Sequence, residues 1–461
     1  MEYQNFINSK RLTIYKSGFE VLENAVNPML FDYQRDLVKW SLRVGKAALF
    51  TMTGTGKTLM QVEWAKHVQK QTRGKILIIA PLAVNYQTIR EGKKIGVEIT
   101  YAHNQGEATG DITITNYERL SGFDADAFAG VVLDESSILK SFTSATRDLI
   151  ITMFARTPYK LSCTATPSPN DFMELGNQSE FLNVMTRTEM LAMFFVHDGG
   201  DTSKWRLKGH AESKFWEWVA SWAAVLTKPS DLGYDDTRHI LPPLEQVEHI
   251  VESDIKPEGS LFSVEAQTLQ ERQAARRDTI GLRAERVAEI VNATEGPFLI
   301  WCDLNNEAAA LVKLIPGSAQ VQGSDTPEQK EARMMAFADS TLRVLISKPS
   351  ICGFGMNWQH CSQMAFIGLS DSFEAYFQAV RRCYRFGQKK PVTVHIVISD
   401  LEGAVLANIK RKESNATRML AEIVEHTRRH VLENIRHQHY QSKDYNARME
   451  MKLPIFLQEE A

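Results

Sequence analysis

A chain of 461 residues with 43% hydrophobic residues is typical of a soluble globular protein with two or three domains, and its net charge of −3 argues against binding nucleic acid through bulk positive charge. No apolar run reaches the roughly 20 residues of a membrane helix, and the N-terminus lacks the pattern of a signal peptide. The five scattered cysteines favour a reducing, cytoplasmic compartment over a disulfide scaffold or a zinc site.

Short β-rich apolar runs alternate with polar or helical segments in two parts of the chain. In the first part the predicted strands are residues 47–52, 76–80, 112–115, 130–133 and 159–163. In the second part they are residues 298–302, 318–322, 343–347, 364–368 and 392–398. This alternation predicts an α/β protein with two lobes, each a parallel sheet flanked by helices.

The composition divides the chain into five segments. They are an N-terminal cap (1–30), a first lobe (31–170), a helical spacer and linker (171–283), a second lobe (284–400), and a C-terminal helix and tail (401–461).

The predicted spacer contains an apolar face with helical spacing. This face consists of Phe215, Trp218, Val219, Trp222 and Leu226. The pattern favours packing in a core, and the alternative is an aromatic platform on which bases stack.

A glycine-rich loop between the first predicted strand and a predicted helix has the pattern of a phosphate-binding loop. The loop and the helix start comprise Thr53, Gly54, Thr55, Gly56, Lys57 and Thr58. Glycines let backbone N–H groups surround phosphate oxygens, Lys57 would reach the β- and γ-phosphates, and Thr58 would ligate Mg²⁺. The general pattern has a glycine where this chain has Thr51, but the strand before the loop and the helix after it disfavour a chance match.

Two acids end the apolar run 131–133, and a glutamine precedes the phosphate loop by about one helix. In open α/β sheets ligands bind at the carboxyl edge, so we predict that Asp134 holds Mg²⁺ and that Glu135 activates water. The amide of Gln34 has the donor and acceptor needed to recognise adenine, with a capping or surface role as the alternative.

Residues 31–398 resemble superfamily-two helicases and translocases, because their motifs follow in the order of that family. Within it the string 378–388 resembles the Swi/Snf-type branch, and the short length resembles DEAD/DEAH-box-like helicases of phages and prophages. The resemblance implies two tandem RecA-like lobes, ATP and Mg²⁺ as ligands, Gln34 as the adenine-recognising residue, and the cytoplasm of a bacterial or phage-infected cell.

The resemblance also assigns roles to further residues. Positions that contact nucleic acid or couple it to the ATP site are Pro81, Thr115, Asn116, Tyr117, Thr164, Ala165, Thr166, Gly353, Gly355 and Asn357. In the string 378–388, Gln378 would place the attacking water, and Arg382 and Arg385 would be arginine fingers. Without the resemblance, the basic residues of this string are also consistent with a solvated face or a nucleic-acid patch. The chain departs from the family at Ser137, where a His is usual, and at Arg381, where a Gly is usual.

The sequence therefore predicts an ATP-dependent translocase on nucleic acid, with double-stranded DNA as the favoured track. One alternative is a strand-separating or branch-migrating helicase on forked DNA or on RNA. Another is an ATP-gated DNA-binding subunit of a larger complex. The apolar segment 452–457 is expected to fold back onto its own domain, or to bind a sliding clamp, whose docking motif it resembles except that Lys452 replaces the leading Gln.

Overall fold

The computed structural model describes residues 17–140, 144–168, 171–198, 201–253, 274, 276–352 and 357–435. The predicted positions Gly353 and Gly355, and the tail segment with its predicted clamp contact, lie outside these residues. Among the helices of the described part, none is long and apolar enough to cross a membrane.

The first lobe contains nine described strands: β1 (Lys46–Thr51), β2 (Lys75–Ala80), β3 (Thr100–Tyr101), β4 (Ile112–Asn116), β5 (Phe128–Asp134), β6 (Tyr159–Thr164), β7 (Phe195–Asp198), β8 (Asp201–Leu207) and β9 (Ala223–Leu226). Seven of them form a parallel sheet with the order β3-β4-β2-β5-β6-β1-β9. Strands β7 and β8 form a separate antiparallel hairpin. The central strands are buried because helices cover both faces of the sheet, as their continuous apolar runs predict.

Seven helices belong to the described part of the first lobe. They are α1 (Asp32–Val44), α2 (Lys57–Thr72), α3 (Asn85–Lys94), α4 (Ala145–Met153), α5 (Leu175–Phe181), α6 (Arg187–Phe194) and α7 (Glu212–Trp222). Two clusters of buried side chains, one on each face of the sheet, form the core.

The strands of the second lobe are β10 (Leu244–Val251), β11 (Phe298–Cys302), β12 (Ser318–Val321), β13 (Val344–Ser347), β14 (Gln363–Ile367) and β15 (Val392–Ser399). They form a parallel sheet of six strands with the order β10-β15-β14-β11-β13-β12. The helices that follow are α8 (Ile280–Asn292), α9 (Asn305–Leu314), α10 (Pro327–Ala338), α11 (Pro349–Cys352), α12 (Phe373–Val380) and α13 (Gly403–Ile435). The prediction of an α/β protein with two parallel, helix-flanked sheets is thereby confirmed.

The segment expected to be a helical spacer differs from that prediction, because it supplies strands to both sheets. Strand β9 pairs with β1 at the edge of the first sheet, and β10 pairs with β15 at the edge of the second. The predicted helical face ends earlier than expected, because Leu226 lies in β9 and not in α7. All five of its residues are buried in the first lobe, where the Trp222 ring packs edge-on against Phe50 with centroids 6.0 Å apart. Core packing is therefore confirmed for this face, and a base-stacking platform is excluded.

The 33-residue helix α13 packs against both lobes. Its first half contributes Val405 and Ile409 to the core of the second lobe. Its second half contributes Ile423 and Val431 to the two cores of the first lobe. A cleft of about 820 Å³, including its open mouth, lies where α13, α12 and residues 165–168 meet. One continuous helix thus anchors the lobes to each other.

Buried charges hold the carboxyl ends of the second sheet together. The Arg283 Nη1 donates to Glu307 Oε1 at 2.8 Å and to the Ile367 carbonyl oxygen at 3.0 Å, and both charged side chains are 0% exposed. The carboxylate of Glu402 completes the network, 3.5 Å from Arg283 Nε. Gly368 has φ +81°, and a Cβ there would lie 2.7 Å from Arg283 Nη1, so this network also explains the glycine.

Replacing Arg283 with Ala is expected to lower the free energy of unfolding by about 3–5 kcal/mol, because the fully buried Glu307 carboxylate loses its charged partner. Urea unfolding followed by circular dichroism measures the change. Arg286→Ala is the matched control in the same helix: its partner Glu289 is 65% exposed, and such pairs contribute about 0–1 kcal/mol. Equal losses in the two variants would show that the network does not stabilise the lobe.

Candidate active site

The phosphate loop connects β1 to α2 with two glycines in the left-handed region. Gly54 has φ +91° and Gly56 has φ +82°, a conformation that other residues adopt only with strain. A Cβ at Gly54 would lie 2.9 Å from the Phe386 backbone nitrogen, and one at Gly56 would lie 2.2 Å from Gln34 Nε2. The loop therefore needs glycine for its conformation and for the close approach of its neighbours.

Side chains of the loop are held by its own backbone. The Lys57 Nζ donates to the Thr51 carbonyl oxygen at 2.8 Å, and Thr55 Oγ1 donates to the Met52 carbonyl oxygen at 2.7 Å. Burial lowers the pKa of Lys57, while the nearby carboxylates of Glu135 and Asp134 raise it. The Lys57 ammonium thus lies among phosphate-loop and carboxylate oxygens, as a phosphate-binding lysine requires.

The carboxylates of Asp134 and Glu135 lie at the carboxyl end of β5. Asp134 Oδ1 accepts hydrogen bonds from Gln61 Nε2 at 2.7 Å and from the Glu135 N–H at 3.1 Å. Glu135 has φ +53°, a strained conformation that recurs at functional sites. Burial, together with the neighbouring charge of Asp134, raises the pKa of Glu135 to about 7 against the opposing charge of Lys57. Such a carboxylate is suited to accept a proton from water.

The second lobe contributes Gln378 from α12 and two arginines that follow this helix. The Arg382 Nε donates to the Gln378 carbonyl oxygen at 3.1 Å, and Arg382 Nη2 donates to Gln378 Oε1 at 3.3 Å. Burial lowers the pKa of Arg382 to about 10 and that of Arg385 to about 9, so both stay charged at neutral pH.

Except for Gln378, which is fully buried and not among the lining residues, these groups meet in one cleft between the lobes that encloses about 560 Å³, including its open mouth. The cleft is lined by Thr53, Gly54, Gly56, Lys57, Thr58, Val84, Gln87, Asp134, Glu135, Arg382 and Arg385. Among the described residues, five buried polar atoms in or beside this cleft have no hydrogen-bond partner: Thr53 Oγ1, Gln61 Oε1, Glu135 Oε2, Gln378 Nε2 and Arg385 Nε.

The donor set of the cleft fits a nucleoside triphosphate with a divalent cation. Phosphate oxygens need the loop N–H groups, a lysine and guanidinium groups, and all three are present. Mg²⁺ takes oxygen ligands and commonly uses one or two protein groups beside the phosphates. Thr58 and Asp134 would hold it, and both line the cleft.

Three glutamines hold residues of this site in place, a role that was not predicted from the sequence: Gln61, Gln359 and Gln388. Gln61 bonds Asp134 and lies one helical turn after Lys57, a spacing that could have revealed it. Gln388 Nε2 donates to the Cys361 and Cys383 carbonyl oxygens at 3.0 and 3.2 Å. Gln359 Nε2 donates to the Phe386 carbonyl oxygen at 3.0 Å. The last two hold the arginine-bearing segment. Gln388 ends the string 378–388, whereas Gln359 has no local sequence signal.

The predicted adenine-recognising residue is occupied by contacts with the protein. Gln34 Oε1 accepts from the Phe31 N–H at 2.9 Å, and Gln34 Nε2 donates to the Thr55 carbonyl oxygen at 2.7 Å. The amide therefore ties α1 to the phosphate loop. Aromatic side chains lie beside this amide, among them His239 and Phe386, whose ring centroids are separated by 4.8 Å. Recognition of adenine by Gln34 stays a prediction.

Six predicted nucleic-acid or coupling residues are buried at the ends of β4 and β6. They are Thr115, Asn116, Tyr117, Thr164, Ala165 and Thr166. Tyr117 donates its hydroxyl to the Asp134 carbonyl oxygen at 2.6 Å, which suits coupling more than direct contact with a polymer. Pro81 and Asn357 are half-buried. Beside Pro81 lie Leu82 and Tyr86, whose side chains are 56% and 50% exposed.

Comparison with known proteins finds a family match for part of the chain and similar solved structures. Residues 27–169 match the family described as Type III restriction enzyme, res subunit (ResIII), which confirms the predicted relation to helicase-type ATPases for the first lobe. No curated protein matches the sequence significantly. The SWI2/SNF2 ATPase core of Sulfolobus solfataricus in complex with dsDNA is 17% identical, with a TM-score of 0.42. That likeness covers 90% of this chain and 99% of the other.

Proposed function

We propose that this chain, an ATP-hydrolysing enzyme of the helicase type, couples hydrolysis to movement along DNA, with the double-stranded form as its track. The observation that carries the proposal is the division of one site between two lobes. Lys57, Asp134 and Glu135 come from the first lobe, and Arg382 and Arg385 come from the second. Such a site is complete only when the lobes are close together, so its chemistry depends on their relative position.

Each group has a chemical role that follows from its place. Lys57 and the loop N–H groups bind the β- and γ-phosphates, and the N-terminus of α2 favours their negative charge. Glu135 accepts the proton of the attacking water, which the Gln378 amide orients. Arg382 and Arg385 stabilise the charge that develops on the γ-phosphate. Held by Thr58 and Asp134, Mg²⁺ would supply charge neutralisation and orientation of the phosphates.

Movement follows from the same division of the site. A bound triphosphate is attracted by groups of both lobes, so it favours their approach, and loss of the γ-phosphate removes that attraction. Tyr117 links the β4 edge to Asp134, and the buried Thr164 and Thr166 lie at the end of β6. These residues would relay the change to the surface around Leu82 and Tyr86, which would contact the DNA backbone.

Double-stranded DNA is favoured by the resemblance of the string 378–388 to the Swi/Snf-type branch. Because the net charge is −3, binding would rely on a local surface and on phosphate contacts without sequence preference.

The test is a comparison of ATPase rates with single-stranded DNA, duplex DNA, forked DNA and RNA. Duplex DNA is expected to raise kcat most, and its apparent affinity should fall with added salt because phosphate contacts release counterions. An unwinding assay on the forked and blunt duplexes runs in parallel. Strand separation, or stimulation by RNA alone, would replace translocation with the helicase alternative. Tight DNA binding without turnover would indicate an ATP-gated binding subunit.

A further inference from the structure

A single carboxylate on the second lobe contacts the segment that follows Asp134 and Glu135. Ser137 Oγ donates to Glu374 Oε1 at 2.6 Å, and Lys140 Nζ forms an ion pair with Glu374 Oε2. The Glu374 side chain is only 18% exposed. The two oxygens of one carboxylate thus serve two different residues of the first lobe.

Glu374 belongs to the same rigid unit as the predicted arginine fingers. It lies in the first turn of α12, which Ser372 caps by accepting from the Ala375 N–H at 3.3 Å. Gln378 is one helical turn further along on the same face, and it binds the Arg382 guanidinium through its carbonyl and amide oxygens. A displacement of Glu374 therefore displaces Gln378 and Arg382 as well.

The partners of Glu374 are equally fixed on the first lobe. The short 3-10 helix Ser136–Lys140 directly follows the two catalytic acids. Helix α5 holds this segment, because Gln178 Nε2 donates to the Ser136 carbonyl oxygen at 2.9 Å and Asn177 Nδ2 donates to the Leu139 carbonyl oxygen at 2.6 Å. The contact joins two segments with little freedom, so it forms only at one relative position of the lobes.

We propose that Glu374 is a positioning residue, which uses its contacts with Ser137 and Lys140 to set the distance between Glu135 and the arginine fingers. The proposal rests on the proposed function, since it concerns the same site. It also accounts for Ser137, where the resembling family has His: a short hydroxyl leaves room for the carboxylate to reach Lys140 as well.

The first test is steady-state ATPase kinetics with saturating duplex DNA. Glu374→Ala is expected to lower kcat by about 10- to 100-fold, the scale of a misplaced catalytic group. The KM for ATP should change by less than a factor of about two, because the phosphate loop is untouched and phosphate binding is separate from positioning. Glu374→Gln should lie between, since it keeps an oxygen for Ser137 and loses the charge that pairs with Lys140.

Two further variants separate positioning from a general structural effect. The double variant Ser137→Ala with Glu374→Ala should lose no more activity than Glu374→Ala alone, because the two changes remove one interaction. Lys140→Glu combined with Glu374→Lys should recover part of the activity that each single reversal loses. The matched control is Glu331→Ala, which removes another ion pair between the lobes, Arg90–Glu331 at 3.9 Å with both side chains at least half exposed. Its kcat should equal that of the wild type.

A second measurement does not depend on turnover. Dyes on cysteines introduced at the exposed positions Gln71 and Lys313 report the distance between lobes by energy transfer, and the native cysteines are buried. With a non-hydrolysable ATP analogue, Glu374→Ala should show less energy transfer between the dyes than the wild type, because the contact that sets the distance between the lobes is lost.

The outcomes distinguish the two proposals. Wild-type kcat and wild-type energy transfer in Glu374→Ala would overturn the positioning role and leave the proposed function standing. The positioning role would also be overturned if the double variant, Ser137→Ala with Glu374→Ala, lost as much activity as the two single variants together. A wild-type chain that hydrolyses no ATP would end the proposed function, and the energy-transfer comparison would still decide whether Glu374 sets the distance.

Discussion

Replacing Glu135 with Gln is expected to reduce ATP turnover by about 10²- to 10⁴-fold, the usual contribution of a general base, while ATP still binds. The amide keeps the shape of the side chain but cannot accept the proton of the attacking water. Loss of a buried negative charge beside Asp134 also relieves repulsion, so affinity for ATP should be equal to or higher than that of the wild type. Turnover and binding of a fluorescent ATP analogue are measured on the same preparation.

Lys57→Ala is the comparison variant, because it acts by a different route. The Lys57 ammonium lies beside the phosphate loop and contacts the Thr51 carbonyl oxygen. Removing it should weaken ATP binding itself, and turnover should fall as a consequence. If both variants lose the same affinity for ATP, the separate roles of the two residues are contradicted.

Arg385→Ala is expected to lower DNA-stimulated turnover by about 10³- to 10⁵-fold, the scale measured for arginine fingers. The guanidinium of Arg385 lines the cleft opposite Lys57, and its buried Nε has no hydrogen-bond partner among the described residues. A buried N–H without a partner has lost its hydration and gains no hydrogen bond from the protein, as expected of a donor that binds a phosphate oxygen. Binding of ATP and of DNA should remain detectable.

Arg381→Ala is the matched control for this prediction. Arg381 lies in the same basic run, but its guanidinium packs over the rings of Phe377 and Tyr384, 5.0 and 5.1 Å from their centroids. It is not among the residues that line the nucleotide cleft. Removing it should cost far less activity than removing Arg385. Wild-type turnover in Arg385→Ala would show that the finger role is wrong.

Most strands of both sheets could be predicted from the sequence, because they are buried on both faces and appear as continuous apolar runs. Two longer-range features could not. Strand β9 has four residues and directly continues the apolar pattern of α7, so periodicity does not separate them. Strand β10 is an edge strand with exposed polar residues and lacks the apolar run of its neighbours. Both lie in the segment expected to be a helical spacer.

The same distinction holds at the site. The phosphate loop and the pair Asp134–Glu135 are local patterns at the ends of strands, so the sequence predicts that they meet at one sheet edge. Glu374 acts through partners that are distant along the chain, and no spacing indicates it. The buried side chains of Thr115 and Thr164 show a further limit, since a motif position does not reveal whether a side chain reaches the surface.

In the proposed function, one site that is completed across two lobes responds to DNA. The most direct measurement is the ATPase rate of the intact chain as the concentration of duplex DNA increases, with Arg385→Ala run beside it. We expect a saturable rise in kcat for the wild type that added salt weakens, and no such rise for the variant. A wild-type rate that stays the same at every DNA concentration would contradict it.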